Sequence, residues 1–250
     1  MGELVRLDLT DRIATITLDS QHNRNALSRQ LIAELGECLG EAEGAEARAI
    51  VLRHEGPAFC AGADLKERSA DGAAPDSTPM VDVMRRLMET DRPTIAAVEG
   101  AVRAGGIGLM ASCDLVVVHR DVSFALTEVR IGVAAAIISV PILRRVPPGK
   151  IAAAMLTGEV FDADEARSIG LVTHVTDDVP TRVAALTDGI SKGAPRAVRE
   201  TKRLLNRVPR LGLDTAFDEM RTLSEELFAA PDAQEGMAAF AEKRTPVWPD

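Results

Sequence analysis

TIAAVEGAVRAGGIGLMASCDLVVV, Thr94–Val118, holds two apolar, strand-like segments and, between them, a turn that carries Gly105, Gly106 and Gly108. TIAAVEG and DLVVVHR are short apolar runs, and both predict buried strands. GIGLMASC predicts a helix that starts directly after the glycine pair. Backbone N–H groups at a helix start lack intrahelical acceptors and carry partial positive charge. Glycines at that point keep side chains away, so an oxygen atom can approach the backbone. The pattern AGGIG is not the GxGxxG of a dinucleotide turn, and no acidic ribose partner follows it. No Gly-Lys-Ser or Gly-Lys-Thr occurs, which removes the phosphate-loop reading.

Working outward, VRLDLTDRIATITLD alternates apolar and polar residues and predicts a β-hairpin turning near Thr10–Asp11. SRQLIAELGECLGEAE has helical spacing behind Ser28, a good N-cap. ARAIVLRHE predicts a strand, GPAFCAGADLKE a small-residue loop, and MVDVMRRLMET a helix that ends before Arg92–Pro93. Lys66–Pro79, rich in Ser, Ala, Gly, Pro and Asp, predicts a mobile surface loop able to cover a site. This alternation of strands and helices predicts an α/β architecture. Past Val133, AIISVPILRRV, GKIAAAMLTG and DADEARSIG predict helices and LVTHV a short strand; from Val179 onward the pattern is helical. A boundary near Ala194–Pro195 separates an expected body, residues 1–194, from a helical region, residues 195–250.

Composition narrows the function. The chain has 250 residues and a formal net charge of −9, which argues against nucleic acid as a partner. No apolar run approaches the length that spans a bilayer, and the N-terminus lacks a signal-peptide pattern, so a cytoplasmic protein with no membrane partner is the expectation. Cys38, Cys60 and Cys113 show neither metal spacing nor a disulfide framework, and the four histidines form no HExxH or HxH pair, so no metal is expected.

Two glycine-bearing loops then stand out. In FCAGADL, Phe59–Leu65, residues Ala61, Gly62 and Ala63 leave their N–H groups open to a ligand. Each loop alone reads as an ordinary turn. Facing each other, they would hold one oxygen between two N–H donors, an oxyanion hole. Glu128 lies in the apolar segment VSFALTEVRIGVAAAII; such surroundings raise a carboxyl pKa toward the range of a proton shuttle. The plain alternative for Glu128 is a surface ion pair with Arg130.

FCAGADLKE, RPTIAAVEGAVRAGGIGLMASCDLVVV, FALTEVRIGV, LTGEVFDADEARSIGLVTHV and FAEKRTPVW together resemble the crotonase superfamily, the enoyl-CoA hydratase/isomerase family, in order and separation. The resemblance implies an α/β crotonase (crotonase-like) fold of repeated ββα units with a C-terminal helical trimerisation region. It implies a homotrimer or hexamer, an acyl-CoA thioester as substrate, and no separate cofactor, coenzyme A being part of the substrate. By motif it assigns the oxyanion donors to Ala61 and Gly105, with Gly62, Ala63, Leu65 and Gly106 around them. NRNAL resembles the CoA-contacting segment without its usual Arg-Pro start, which brings in Arg24 and Ala26. Arg24, Lys66 and Arg68 are candidates for CoA phosphates, and Phe240 and Lys243 for a neighbouring subunit's CoA. Asp64 looks like a loop-fixing residue.

The resemblance is incomplete at one point. A typical hydratase of the family has two glutamates, and this chain has Gly108 in place of the first and Glu128 as the second. One carboxylate suits an isomerase, which moves a proton from C2 to C4 through a dienolate. A hydratase of branched or glutaconyl-type CoA esters, another enolate reaction and a non-catalytic acyl-CoA binder remain as alternatives. Glu99, where the family usually has Asn, is a possible added acid or a residue that fixes its turn.

Overall fold

A computed structural model describes residues 2–70 and 76–248, the side chains of residues 68–70 excepted. The chain forms two compact units, Met1–Thr187 and Asp188–Asp250. The division falls inside a helix, Val179–Lys192, ahead of the Ala194–Pro195 junction.

The first unit has ten strands among the described residues: β1 (Val5–Thr10), β2 (Ile13–Leu18), β3 (Ala49–His54), β4 (Ala58–Cys60), β5 (Thr94–Val98), β6 (Ala101–Arg103), β7 (Leu115–His119), β8 (Ser123–Ala125), β9 (Val160–Asp162) and β10 (His174–Thr176). Its helices are α1 (Arg29–Gly44), α2 (Leu65–Ala70), α3 (Thr78–Glu89), α4 (Gly105–Ala111), α5 (Ala136–Arg145), α6 (Pro148–Thr157) and α7 (Ala163–Ser168), and α8 (Val179–Lys192) crosses the division. The six-stranded sheet has the order β1-β2-β3-β5-β7-β10 and the four-stranded sheet the order β4-β6-β8-β9. Consecutive strands therefore go to different sheets: β3 then β4, β5 then β6, β7 then β8, each pair followed by helix. This is the repeated ββα unit in physical form.

The pairing follows from the pattern of residues. β1 and β2 form the hairpin, with Thr10 opposite Ile13 and both turn residues, Asp11 and Arg12, at positive φ, as a two-residue turn of primed type demands. β3, β5 and β7 pair in parallel, and β5 is buried at every position, the continuous apolar run of a sheet covered on both faces. α1 buries Leu31, Leu35, Leu39 and Ala42 on one stripe, and Ser28 caps it by accepting the Leu31 N–H. Arg145 at the end of α5 donates to the carbonyls of Ala111, Cys113 and Asp114, which closes the C-terminal end of α4.

One expectation needs correction. The segment from Lys66 is helical through Ala70, and α3 begins at Thr78; residues 71–75 lie outside the described part of the chain. The Asp64 carboxylate supplies the reason. It accepts the Lys66 and Glu67 N–H groups at 3.1 and 3.2 Å, a cap that outweighs the small-residue composition. Among the described residues the second unit holds the end of α8, then α9 (Pro195–Arg207), α10 (Leu213–Ala229) and α11 (Pro231–Glu242), with Pro195 and Pro231 each opening a helix.

Asn25 ties the sequence before α1 to the start of the second sheet. It is fully buried, with φ +55, accepts the Ser20 N–H at 2.6 Å and donates to the carbonyls of Glu55 and Ala58 at 3.0 and 2.8 Å. Asn25→Ala removes two buried hydrogen bonds and one part-buried one, so we expect a loss of about 3 kcal/mol, measured as a shift in the midpoint of denaturant unfolding at unchanged slope.

Candidate active site

Three loops meet because three strands are in parallel register. Cys60 of β4 lies opposite Val102 of β6, and Arg103 opposite Ala125 of β8. The segments that follow, Ala61–Asp64, Ala104–Gly105 and Thr127–Glu128, leave the same edge of the four-stranded sheet. Ala61, Ala63, Ala104, Gly105, Thr127 and Glu128 all line one cavity of about 360 Å³.

The first loop is held by the segment before α1. The Arg24 carbonyl accepts the Ala61 N–H at 3.0 Å, and the Gly62 carbonyl accepts the Leu27 N–H at 2.8 Å. Leu27 and Ala63 then face each other as a parallel bridge. The assignment of an oxyanion donor to Ala61 is therefore corrected: its N–H is already spent on Arg24. Among the described residues, no acceptor meets the N–H of Ala63 or of Gly105. Gly62, at φ +95, makes the turn that separates the bonded amide of Ala61 from the unbonded one of Ala63. Its N–H points to Cys60 Sγ at 3.3 Å, and burial pushes the Cys60 thiol up to about 12, so this sulfur stays protonated and inert.

The second loop packs onto the first. A Cβ at Gly106 would stand 2.6 Å from Cys60 Cβ, and one at Gly105 would stand 2.7 Å from Leu27 Cδ1. Glycine at position 106 is a condition of contact between the loops, whereas at position 105 the neighbour is the tip of the Leu27 side chain. Ala104 precedes them at φ +48 and ψ −119, a backbone region that belongs to glycine, and its N–H is held by the Ala125 carbonyl at 2.9 Å. This strained turn starts α4 with the Gly105 N–H free.

Glu128 opens a short 3-10 turn, Glu128–Ile131, after β8. Its Oε2 is buried with no hydrogen-bond partner. Burial raises its pKa above the ordinary glutamate value, against a smaller lowering from its own backbone N–H. Arg130 does not pair with it; the Arg130 Nε donates to the Thr157 carbonyl at 3.0 Å. The surface ion pair that the sequence allowed is absent.

The other expected residues divide clearly. Ala63 and Leu65 line the cavity. Ala26, Gly62, Gly106 and Gly108 do not: all four are buried in the walls. Gly108 is the sharpest case, because a Cβ there would run into Ile138 and would stand 2.7 Å from Met84 Cε. Asp64 also stays out of the cavity and caps α2; those backbone bonds, and the Asn23 amide at 3.0 Å, hold its carboxyl below the usual range. Arg24 and Lys66 are exposed, and the Arg68 side chain lies outside the described residues. Glu99 is exposed and fixes its turn through its N–H, which donates to His54 Nε2 at 3.0 Å. Phe240, 87% exposed, and Lys243 belong to the second unit. The sequence reading missed Ala104 and the contribution of α3, where Met80 and, just ahead of the helix, Ser77 line the cavity; Leu27, the last residue of NRNAL, lines it too. The amphipathic spacing of Met80, Val83, Met84 and Leu87 was the available signal for α3.

Two sheets, each parallel except for one antiparallel pair at an edge, built from repeated ββα units with loops converging at the ends of neighbouring strands, define a crotonase-type α/β enzyme. The chain belongs to the enoyl-CoA hydratase/isomerase family, whose model matches residues 8–250. The crystal structure of an enoyl-CoA hydratase from Mycobacterium smegmatis superposes with a TM-score of 0.92 at 33% identity, over 99% of each chain. That of an enoyl-CoA hydratase from Bacillus anthracis gives 0.91 at 28% identity over 98% of each. The human mitochondrial enoyl-CoA hydratase domain-containing protein 3 is 32% identical over 249 residues, 95% of this chain and 81% of its own.

Two outcomes follow from the geometry. The native Glu128 carboxyl keeps its proton to higher pH than the unfolded chain does. Stability therefore falls as pH rises from the ordinary glutamate value of 4.5 through the raised native value. Glu128→Gln removes that dependence: its melting temperature should match the parent's below pH 4.5 and exceed it at neutral pH, by calorimetry across a pH series. Ala104→Gly relieves the turn, and the relief of about 1–3 kcal/mol outweighs the added freedom of the unfolded chain of about 0.4–1 kcal/mol. The variant should melt higher than the parent, by calorimetry.

Proposed function

We propose that the chain is an enoyl-CoA isomerase that shifts a double bond from C3 to C2 of a fatty or branched acyl-CoA. The Ala63 and Gly105 N–H groups hold the thioester oxygen, which carries the negative charge of the dienolate. Glu128 takes the proton from C2 and returns it to C4, so the carboxylate is regenerated and no water is consumed. The observation that carries this reading is Glu128 Oε2: buried without a hydrogen-bond partner, in a residue on the same cavity as two unbonded N–H groups. Asp76 also lines the cavity, but its Oδ1 accepts the Thr78 N–H at 2.9 Å, and that threonine's hydrogen bonds hold its carboxyl below the usual range, which leaves it ill suited to a proton shuttle.

Hydration of a 2-enoyl-CoA is the second reading, favoured by the hydratase names of the relatives. It asks Glu128 to position a water without a partner acid. Assembly into a homotrimer or hexamer accords with the second unit, whose Phe217, Phe228, Met237 and Phe240 are all more than half exposed. Among the described residues, no helix is long and apolar enough to cross a membrane.

The test follows 3-enoyl-CoA and 2-enoyl-CoA separately with the purified protein. Isomerisation of 3-enoyl-CoA should fall about 10²–10⁴-fold in Glu128→Gln, the span of general acid–base catalysis. Unchanged turnover in that variant removes Glu128 from the chemistry, and fast hydration by the parent with no isomerisation favours the second reading.

A further inference from the structure

Position 108 stands one helical turn along α4 from Gly105, on the same face. That face is covered by α5. The Ile138 Cβ would lie 2.6 Å from a Cβ built at Gly108, and Met84 Cε closes the other side. Both neighbours are buried: Ile138 is 6% exposed and Met84 4%. A β-branched side chain on a helix has one strongly preferred rotamer, so Ile138 cannot swing aside while α5 stays in place. Ile138 also lines the cavity that holds Gly105 and Glu128. Its hydrocarbon thus stands between the bare backbone of Gly108 and the cavity.

This matters for water. A buried water needs roughly two to four polar partners. Beside Gly108 the nearest groups are the carbons of Ile138 and Met84. Resting on the isomerase reading, we infer that Ile138 is the specificity-determining residue of this site. By filling the notch at Gly108 it excludes both a water and a second acid to hold one, and it confines Glu128 to carrying a proton from carbon to carbon. Hydration would add water across the double bond, hydroxyl at C3 and hydrogen at C2. Isomerisation needs no incoming atom, so it survives the closed notch.

The experiment compares the parent with Ile138→Ala, Gly108→Glu, Gly108→Ala and the two double variants, by melting temperature, CoA-ester binding and the ratio of hydration to isomerisation. Gly108→Ala and Gly108→Glu should each melt below the parent, and each loss should shrink in the Ile138→Ala background, the signature of coupled neighbours. In Gly108→Glu/Ile138→Ala the hydration-to-isomerisation ratio should rise by about 10-fold or more, since an added acid–base group is worth about 10²–10⁴ in rate when well placed. The proposal falls if Gly108→Ala melts like the parent, if its loss is the same with and without Ile138, or if the Glu-bearing double variant binds the ester yet keeps the parent's ratio. A parent that hydrates but does not isomerise overturns the isomerase reading instead. A parent that isomerises, beside a double variant that gains no hydration, overturns only the role of Ile138.

Discussion

The contact at Cys60 is the constraint on which the site depends. Its Cβ meets the bare backbone of Gly106, and its sulfur accepts the Gly62 N–H. One small buried side chain therefore touches both glycine loops. Replacing Gly106 would force the loops apart, because no side chain fits between it and the Cβ and carbonyl of Cys60. The glycines hold the two unbonded N–H groups on one cavity by permitting close packing as much as by permitting unusual dihedrals.

The site is also where the molecule carries its unfavourable terms. Ala104 is held in a glycine-like conformation, two backbone N–H groups go without acceptors, and Oε2 of Glu128 is buried without a hydrogen-bond partner. Such features persist only where the surroundings determine them. Here the surroundings are the parallel pairing of β4, β6 and β8, the Asn25 amide that anchors the preceding segment, and the capping of α4 by Arg145. The stable scaffold and the strained loops are two halves of one arrangement.

Much of this was legible in the sequence. The strands around Gly105, the hairpin, the helical second unit and the pairing of two glycine loops with Glu128 follow from apolar period, small residues and motif order. What escaped depends on long-range partners. The direction of a single amide separates Ala61 from Ala63, and it is set by the Arg24 carbonyl, far away in sequence. Gly108 reads as a missing side chain; that its place is taken by Ile138 of another helix is a fact of packing. The helix after Asp64 was hidden by the run of small residues that follows it in sequence, although the capping aspartate was in plain view. Local chemistry is written locally, whereas the choice among neighbouring backbone groups is written across the fold.

The register of the four-stranded sheet has a consequence for substrate length. Neighbouring strands lie about 4.8 Å apart, and the two amide loops and the glutamate loop follow three successive strands. On the proposed reading the sheet acts as a ruler laid across the thioester: the oxygen is gauged between the first two strands and the reacting carbons toward the third. The position of chemistry is then counted from the thioester end. Acyl groups of different length would fill the cavity to different depths and still present the same carbons to Glu128.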